Sequence, residues 1–371
     1  MFQTLKNHLI NLPGWRTNRN IVVFESDDWG MIRMRSKGTY RILLKKGYPV
    51  DQCVYNQNDA LENNDDVEML GNVLLSVRDK NGNPAKFTLD NVVANPDFKL
   101  IEKNKFKSYF YEPFTKTLQR FPNRDRVMNL YREGINNNIF QPQFHGREHV
   151  NVNRWLGALQ NGDQRFLDAF QEQMFSVADK QRPSGRRDFL DSFGEAFEQN
   201  VESYDKIIKE GTDLFENIWG FRSDTFIAPC YIWPDYLEEV LHRNQIKGIQ
   251  GTHVQRIPCE GMEYNIKRKY HYMGQTNKFG QTYLIRNAFF EPTERGGSSA
   301  VDNALKDIDR AFAYRKPAII STHRVNYIGS IHPGNRGNNL RLLSELLHEL
   351  VEKYPDVEFM SSDELIKVIK E

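Results

Sequence analysis

Short runs of apolar and β-branched residues recur along the chain and alternate with longer stretches of helical spacing. The runs cover residues 21–26, 87–94, 139–144, 225–229, 246–251, 283–290, 317–322 and 357–362. Runs this short, bounded by turn residues, predict buried strands. Between them the spacing predicts helices. Asn123 is placed to cap one that runs through Arg126, Leu130 and Glu133 and is released by the turn at 134–138. Residues 188–217 carry Phe189, Phe193, Phe197, Val201, Ile207 and Leu214 at helical spacing, and 301–314, 339–353 and 363–370 read similarly. The alternation predicts a parallel α/β architecture, a (β/α) barrel or a distorted relative of one.

Two stretches stand outside this rhythm. Residues 51–85 are acidic and Asn-rich, with one helix expected around 67–77, and residues 98–122 are aromatic, with Phe106, Tyr109, Phe110, Tyr111 and Phe114. They suit caps over a barrel mouth, or an interface. No repeat, low-complexity tract or Gly/Ser linker divides the chain, so a single domain over 1–371 is expected. Lys+Arg (50) and Asp+Glu (49) nearly cancel to a formal charge of +1, which removes the electrostatic footprint of a non-specific nucleic-acid binder. The three cysteines, Cys53, Cys230 and Cys259, are odd in number and lack C-x-x-C spacing, against a disulfide scaffold or a zinc finger. Residues 1–20 show no signal-peptide core, and no apolar stretch is long enough to span a bilayer, so a cytoplasmic protein is expected.

Parallel α/β folds collect functional residues at the C-terminal ends of strands. Polar chemistry follows the runs here in that way: Ser26-Asp27-Asp28-Trp29, Asn95-Pro96-Asp97, His145-Gly146-Arg147-Glu148-His149, Cys230-Tyr231, Thr252-His253, Glu291 and His323-Arg324. At a strand end, where the backbone turns, Asp27 and Asp28 can reach one site, one as metal ligand and the other as free base; a solvated turn or helix cap is the alternative. His145 and His149, four apart, can present two imidazoles to a zinc-type ion, or serve as capping residues. The same five residues also read as H-x-x-E-H, a zinc-peptidase pattern that needs a helix through both histidines and employs Glu148. His323 is placed either as an acid/base at a barrel mouth or as hydrogen-bonded structure.

Taken in order, these elements resemble the NodB-homology polysaccharide deacetylases, carbohydrate esterase family 4. Phe24-Glu25-Ser26-Asp27-Asp28 is similar to the family's Asp-Asp motif, and His145 to His149 to its His-x-x-x-His motif. Phe226-Ile227-Ala228-Pro229-Cys230-Tyr231 resembles its Arg-x-Pro-Tyr-like motif, and Ile320-Ser321-Thr322-His323 its late Leu-x-His motif. The likeness spans about residues 20–325. It implies a (β/α)7-like distorted barrel with insertions at about 51–85 and 98–122. It further implies a metal-dependent hydrolase that removes an acyl group, acetyl above all, from an N-acetylated sugar or polysaccharide.

Under that resemblance Asp28, His145 and His149 would hold one divalent metal ion, with zinc expected. Asp27 would act as base and His323 would protonate the leaving amine. A backbone N–H near Cys230 or Tyr231 would meet the oxyanion, and Trp29, Pro229, Cys230 and Tyr231, with Trp233, would line the sugar site. Trp29, Tyr231 and Trp233 suit a core equally well. A carbohydrate substrate is the partner implied, and the loop at 324–339 is long enough to contact it.

Two features depart from the family pattern. The Asp/Trp motif is absent, and Phe226 stands where the third motif would carry the arginine that orients the catalytic aspartate; Arg222 comes too early. A base beside a dication and a second aspartate needs a positive or hydrogen-bonding partner. Arg286, inside the otherwise apolar run 283–290, is the expected replacement, since a buried arginine needs an acid. Alternatively it points outward, leaving Arg147 and Arg324 as the other donors. Two competing functions follow: a non-catalytic carbohydrate-binding relative, and a zinc peptidase in which Glu148 is essential and Asp27 is not.

Overall fold

In the computed structural model of the chain, the structure describes residues 10–180, 188–195, 201–259, 266–295 and 297–371. The apolar runs become strands: β1 (Ile21–Trp29), β2 (Phe87–Asn91), β3 (Phe140–Phe144), β4 (Thr225–Ile227), β5 (Gly248–Gly251), β6 (Thr282–Ile285), β7 (Ala288–Phe289), β8 (Ala318–His323) and β9 (Glu358–Met360). They form a nine-stranded sheet in the order β6-β5-β4-β3-β2-β1-β8-β7, with β9 also pairing β1, and every ladder is parallel. The two ends of that path are one piece of chain. β6 pairs β5, and the Arg286 N–H continues that edge to the Gly251 carbonyl at 2.8 Å. One residue later Asn287 donates to Ile319 O at 3.1 Å, and Phe290 to Ser321 O at 2.9 Å, on the β8 side. The run that reads as one strand in the sequence therefore hands over from one neighbour to the other at Arg286–Asn287, and the ladder returns to its start as in a distorted (β/α)7-like barrel.

The periodicity of β1 explains its burial. Ile21, Val22, Val23 and Phe24 are all 0 % exposed. Val22 and Phe24 join one core cluster and Ile21 and Val23 another, as expected of a strand covered on both faces. Helices α1 (Val127–Asn136), α2 (Val201–Trp219), α3 (Leu237–Arg243), α4 (Ala300–Ala313), α5 (Pro333–Lys353) and α6 (Ser362–Lys370) supply the surrounding layers. No described helix is long and apolar enough to cross a membrane. The three cysteines are half-buried and form no disulfide.

Several boundaries differ from the sequence pattern. α2 is described from Val201, and Phe189 and Phe193 lie ahead of it as buried loop residues; Phe197 falls outside the described residues. Asn123 does not cap α1. It adopts φ 57°, and its carbonyl accepts the Asn64 N–H at 2.9 Å, tying this turn to the helix Asn64–Leu74. That helix starts ahead of the expected 67–77 because Asn63 and Asp66 close a reciprocal capping box. α5 begins at Pro333 rather than Asn339, a residue suited to a first helical turn. With the short turn Arg324–Tyr327 ahead of it, the expected substrate loop shrinks to 328–332. The aromatic stretch 98–122 packs inward, with Phe98 edge-on to Trp155 at 6.2 Å and Phe106 edge-on to Phe170 at 5.1 Å.

Candidate metal centre

The adjacent aspartates converge because the strand is irregular where they lie. The β1–β2 register slips between Ser26 and Trp29, and Asp28 adopts φ 78°, rare for a residue with a side chain. The slip turns Asp28 out of the alternation, so that both carboxylates reach one place while staying 4 % and 5 % exposed. His145 follows β3 directly, its N–H held by Asn91 O at 2.9 Å. The segment from His145 to His149 is not helical. Gly146, at φ 114°, makes the turn that brings the second imidazole back, and the ring centroids lie 5.0 Å apart.

Three ligand atoms, one each from Asp28, His145 and His149, lie within 4.8 Å of one another, and all three residues are buried. His145 Nε2 is 3.5 Å and His149 Nε2 3.4 Å from Asp28 Oδ1. His145 Nδ1 lies 3.0 Å from the Ile227 carbonyl, which places the proton there and leaves Nε2 with a lone pair. That Nε2 and His149 Nδ1 are buried with no hydrogen-bond partner among the described residues. Burial pushes the His149 imidazole down to about 3, with the charges of His145 and Arg33 acting the same way against Asp28, so it is neutral. Burial would raise the Asp28 carboxyl, but the neighbouring histidines His145, His149 and His323 hold it well below the usual range. One carboxylate and two buried imidazoles, with His145 Nε2 and His149 Nδ1 unpartnered among the described residues, form a donor set that fits a divalent ion of the zinc type.

Beside this triad Asp27 is gripped by Arg286. Its Oδ1 and Oδ2 accept from Nη2 at 2.5 Å and Nη1 at 2.8 Å. The guanidinium is fully buried and also bonds Glu25 at 2.7 Å, Asp90 at 3.1 Å, the Tyr231 hydroxyl at 3.0 Å and Ser321 at 3.2 Å. It therefore points inward, not to solvent. Burial alone would raise the Asp27 carboxyl, yet the Arg286 charge and hydrogen bonds lower it to about 2. Glu25 and Asp90, sharing the same cation, are instead raised by burial, and Asp90 Oδ1 has no partner among the described residues. Neither Arg147 nor Arg324 bonds Asp27, and Arg222 is spent on Asp213 at 2.8 Å.

His323 completes the group. Its Nε2 is 3.4 Å from Asp27 Oδ2, and its Nδ1 lies 2.6 Å from Glu291, whose other oxygen accepts from Asn326 at 2.8 Å. Burial works against protonating this imidazole, but Glu291, Asp27 and Asp28 raise it well above its ordinary value. The cluster thus holds an ionised carboxylate and a protonated imidazole side by side. At 21 % side-chain exposure, His323 is also its opening to solvent.

Other sequence-predicted residues stand elsewhere. Trp29 is 1 % exposed, donates to Ser26 Oγ at 2.9 Å and packs edge-on against Tyr131, so it is core and presents no face to a sugar. Trp233, also 1 % exposed, stacks on His271, and Pro229 is buried. Cys230 and Tyr231 are half-buried at the mouth with φ 60° and 58°, but the Tyr231 N–H is taken by Ala228 O at 2.9 Å and does not await an oxyanion. Glu148 chelates Arg147 at 2.6 and 2.9 Å, and Arg147 also bonds Glu210 and covers the Tyr111 ring at 4.4 Å. With no helix and this glutamate engaged, the H-x-x-E-H peptidase pattern is not realised.

Asp90, and the partners of Glu25 and Glu291, escaped the sequence reading. Glu25 and Asp90 are charges inside buried runs, a visible signal, and Glu291, read as strand-end chemistry, stands two residues past β7. The pair Asp59–Glu62 gave none. It lies in the acidic 51–85 stretch, yet it binds buried Arg324, Asp59 at 3.1 and 3.2 Å and Glu62 at 2.8 Å, and so fastens that insertion to the end of β8.

Fold and site together define a mostly parallel α/β protein with a buried carboxylate–bis-histidine cluster at its strand ends. No protein-family model and no curated protein matches the chain. Solved structures similar to it include a probable polysaccharide deacetylase from Pseudomonas aeruginosa PAO1, at 8 % identity and TM-score 0.44, covering 94 % of this chain and 91 % of that one. Puue allantoinase is 9 % identical, with TM-score 0.47 and coverage of 96 % and 93 %. A mutant of a CE4 family pseudoenzyme with restored enzymatic activity is 9 % identical, with TM-score 0.37 and coverage of 94 % and 68 %.

Proposed function

We propose that this chain is a metal-dependent amide hydrolase that removes an acetyl group from an N-acetylated sugar. The observation that carries the reading is the contact of two oppositely tuned groups, Asp27 and His323, 3.4 Å apart beside the Asp28–His145–His149 cluster. A divalent ion on those three residues, zinc being the expected one, would polarise the acyl oxygen and make a water acidic enough to give up its proton near neutrality.

The chain's own groups divide the proton work. Asp27, ionised and held in place by Arg286, accepts a proton from the attacking water as the new C–O bond forms. His323, protonated and oriented by Glu291, donates a proton to the amine nitrogen as the C–N bond breaks, so acetate and a free amino sugar leave. Arg286 does from β6's end what an arginine in the Phe226–Tyr231 segment would do. Acetate release from N-acetylated mono- and oligosaccharides, with zinc supplied and after chelation, tests the reading. Activity that needs the metal and is lost in Asp27→Asn supports it. A protein that binds such sugars but never releases acetate is the inert relative instead.

A further inference from the structure

One cation near the proposed site is not used by the proposed chemistry. Arg33 lies five residues beyond Asp28, and its side chain is 9 % exposed. Its Nε is buried without a hydrogen-bond partner among the described residues. Its closest acid is Asp59 at 3.7 Å, and both Asp59 oxygens already accept from Arg324. The guanidinium instead lies over the Tyr55 ring, 5.3 Å from its centroid. Tyr55 in turn stands edge-on to His323, with ring centroids 5.9 Å apart. Arg33, Tyr55 and His323 thus form a row that starts at the proposed acid.

The charges that reach Arg33 are those of Asp28 and Asp59, with Cys53 and Asp188 behind them, and Arg33 in turn acts on His149. Of the nearer two, Asp28 belongs to the metal cluster and Asp59 to Arg324. A planar cation largely removed from water, its Nε unpartnered among the described residues and Asp59 at 3.7 Å beyond hydrogen-bond reach, calls for an anionic acceptor. Two oxygens in one plane, as in a carboxylate, match the guanidinium fork; a single hydroxyl leaves the charge uncompensated. The aromatic face of Tyr55 under Arg33 holds it in place. The ring contacts lead from Arg33 through Tyr55 to the group that would protonate the leaving amine, and Arg33 is thereby assigned to the sugar half of a substrate.

We propose that Arg33, supported by Tyr55, is a receptor for a carboxylate on the sugar that carries the acylamino group. This rests on the hydrolase reading and narrows it: the preferred substrate is an N-acylated aminouronic acid, not a neutral amino sugar.

The test compares binding of N-acetylgalactosaminuronic acid and N-acetylgalactosamine, which differ at one carbon, by calorimetry on the full chain after chelation has stopped any turnover. The acid should bind roughly 10–100-fold more tightly, the range of one charge-assisted bidentate contact. Arg33→Gln should erase that preference while leaving the neutral sugar's affinity unchanged, and Arg33→Lys should recover only part of it. Equal affinities in the wild type, no binding of either sugar, or a preference that survives Arg33→Gln would each overturn the proposal. If the preference holds but no N-acetylated sugar yields acetate, the hydrolase reading fails and the carboxylate receptor stands.

Discussion

Replacing Arg286 with methionine removes the guanidinium that bonds Glu25, Asp27 and Asp90, and fills part of the space with an unbranched apolar chain. Breaking a buried ion pair by deleting one partner costs about 3–5 kcal/mol, because the other charge is left uncompensated. Here the loss is concentrated on one residue. Burial already works against the charges of Glu25 and Asp90, both raised from their ordinary values. Asp27 is held at about 2 against an ordinary 3.8, a depression worth about 2–3 kcal/mol. The variant should therefore lose about 3 kcal/mol at pH 8.

The pH dependence has a definite sign. In the wild type the Asp27 contribution is complete above its unfolded pKa and disappears only as pH falls from 3.8 towards about 2. Without the cation, burial raises Asp27 above its unfolded value, so the native state binds a proton more tightly than the unfolded state. The gap between variant and wild type should then narrow as pH drops from 8 to 5.5. Urea unfolding of chelated protein at the two pH values measures it, and Asp27→Asn in the Arg286→Met background should restore part of the loss. A loss below about 1 kcal/mol, or a gap independent of pH, would refute Arg286 as the counter-charge.

Asp27→Asn and His323→Ala should each lower acetate release about 10²–10⁴-fold with zinc content unchanged, whereas Glu148→Gln should keep most activity; measured rates and metal content decide both. Gly146→Ala places a side chain at φ 114° and should weaken zinc affinity through strain of about 1–3 kcal/mol in the histidine loop, read by competition with a chelating dye. Far from the site, Arg19 and Lys80 hold Glu358 at about 2. As both cations are partly exposed, Glu358→Gln should cost at most about 1 kcal/mol at pH 7, and the difference should vanish as pH falls from 4.5 towards 2 in a thermal-unfolding series.

What was legible in the sequence followed from short-range physics. Alternation and β-branched runs gave the strands, because burial on both faces favours apolar residues along most of each run, and the strand ends are where Asp27, His145 and His323 lie. Arg286 was visible as a lone charge inside an apolar run. The turn that joins His145 to His149 was not, because a four-residue spacing serves a helix and a glycine-hinged loop equally well. Trp29 was left open between core and sugar site because the slip at Ser26–Trp29 breaks the two-residue period that would decide it. Asp59, Glu62 and Arg33 were hidden more thoroughly. Their roles depend on how the 51–85 insertion folds back over β8, a long-range event that no local pattern encodes.

The central claim is that Asp28, His145 and His149 hold one divalent ion beside Asp27 and His323. Crystals grown with zinc and measured at the zinc absorption edge test it most directly. The account predicts one strong anomalous peak per chain, bonded by one Asp28 oxygen and by imidazole nitrogens of both histidines at about 2.0–2.1 Å, with Asp27 still on Arg286. An empty cluster in zinc-saturated crystals, or zinc bound elsewhere with the three side chains turned apart, would contradict it.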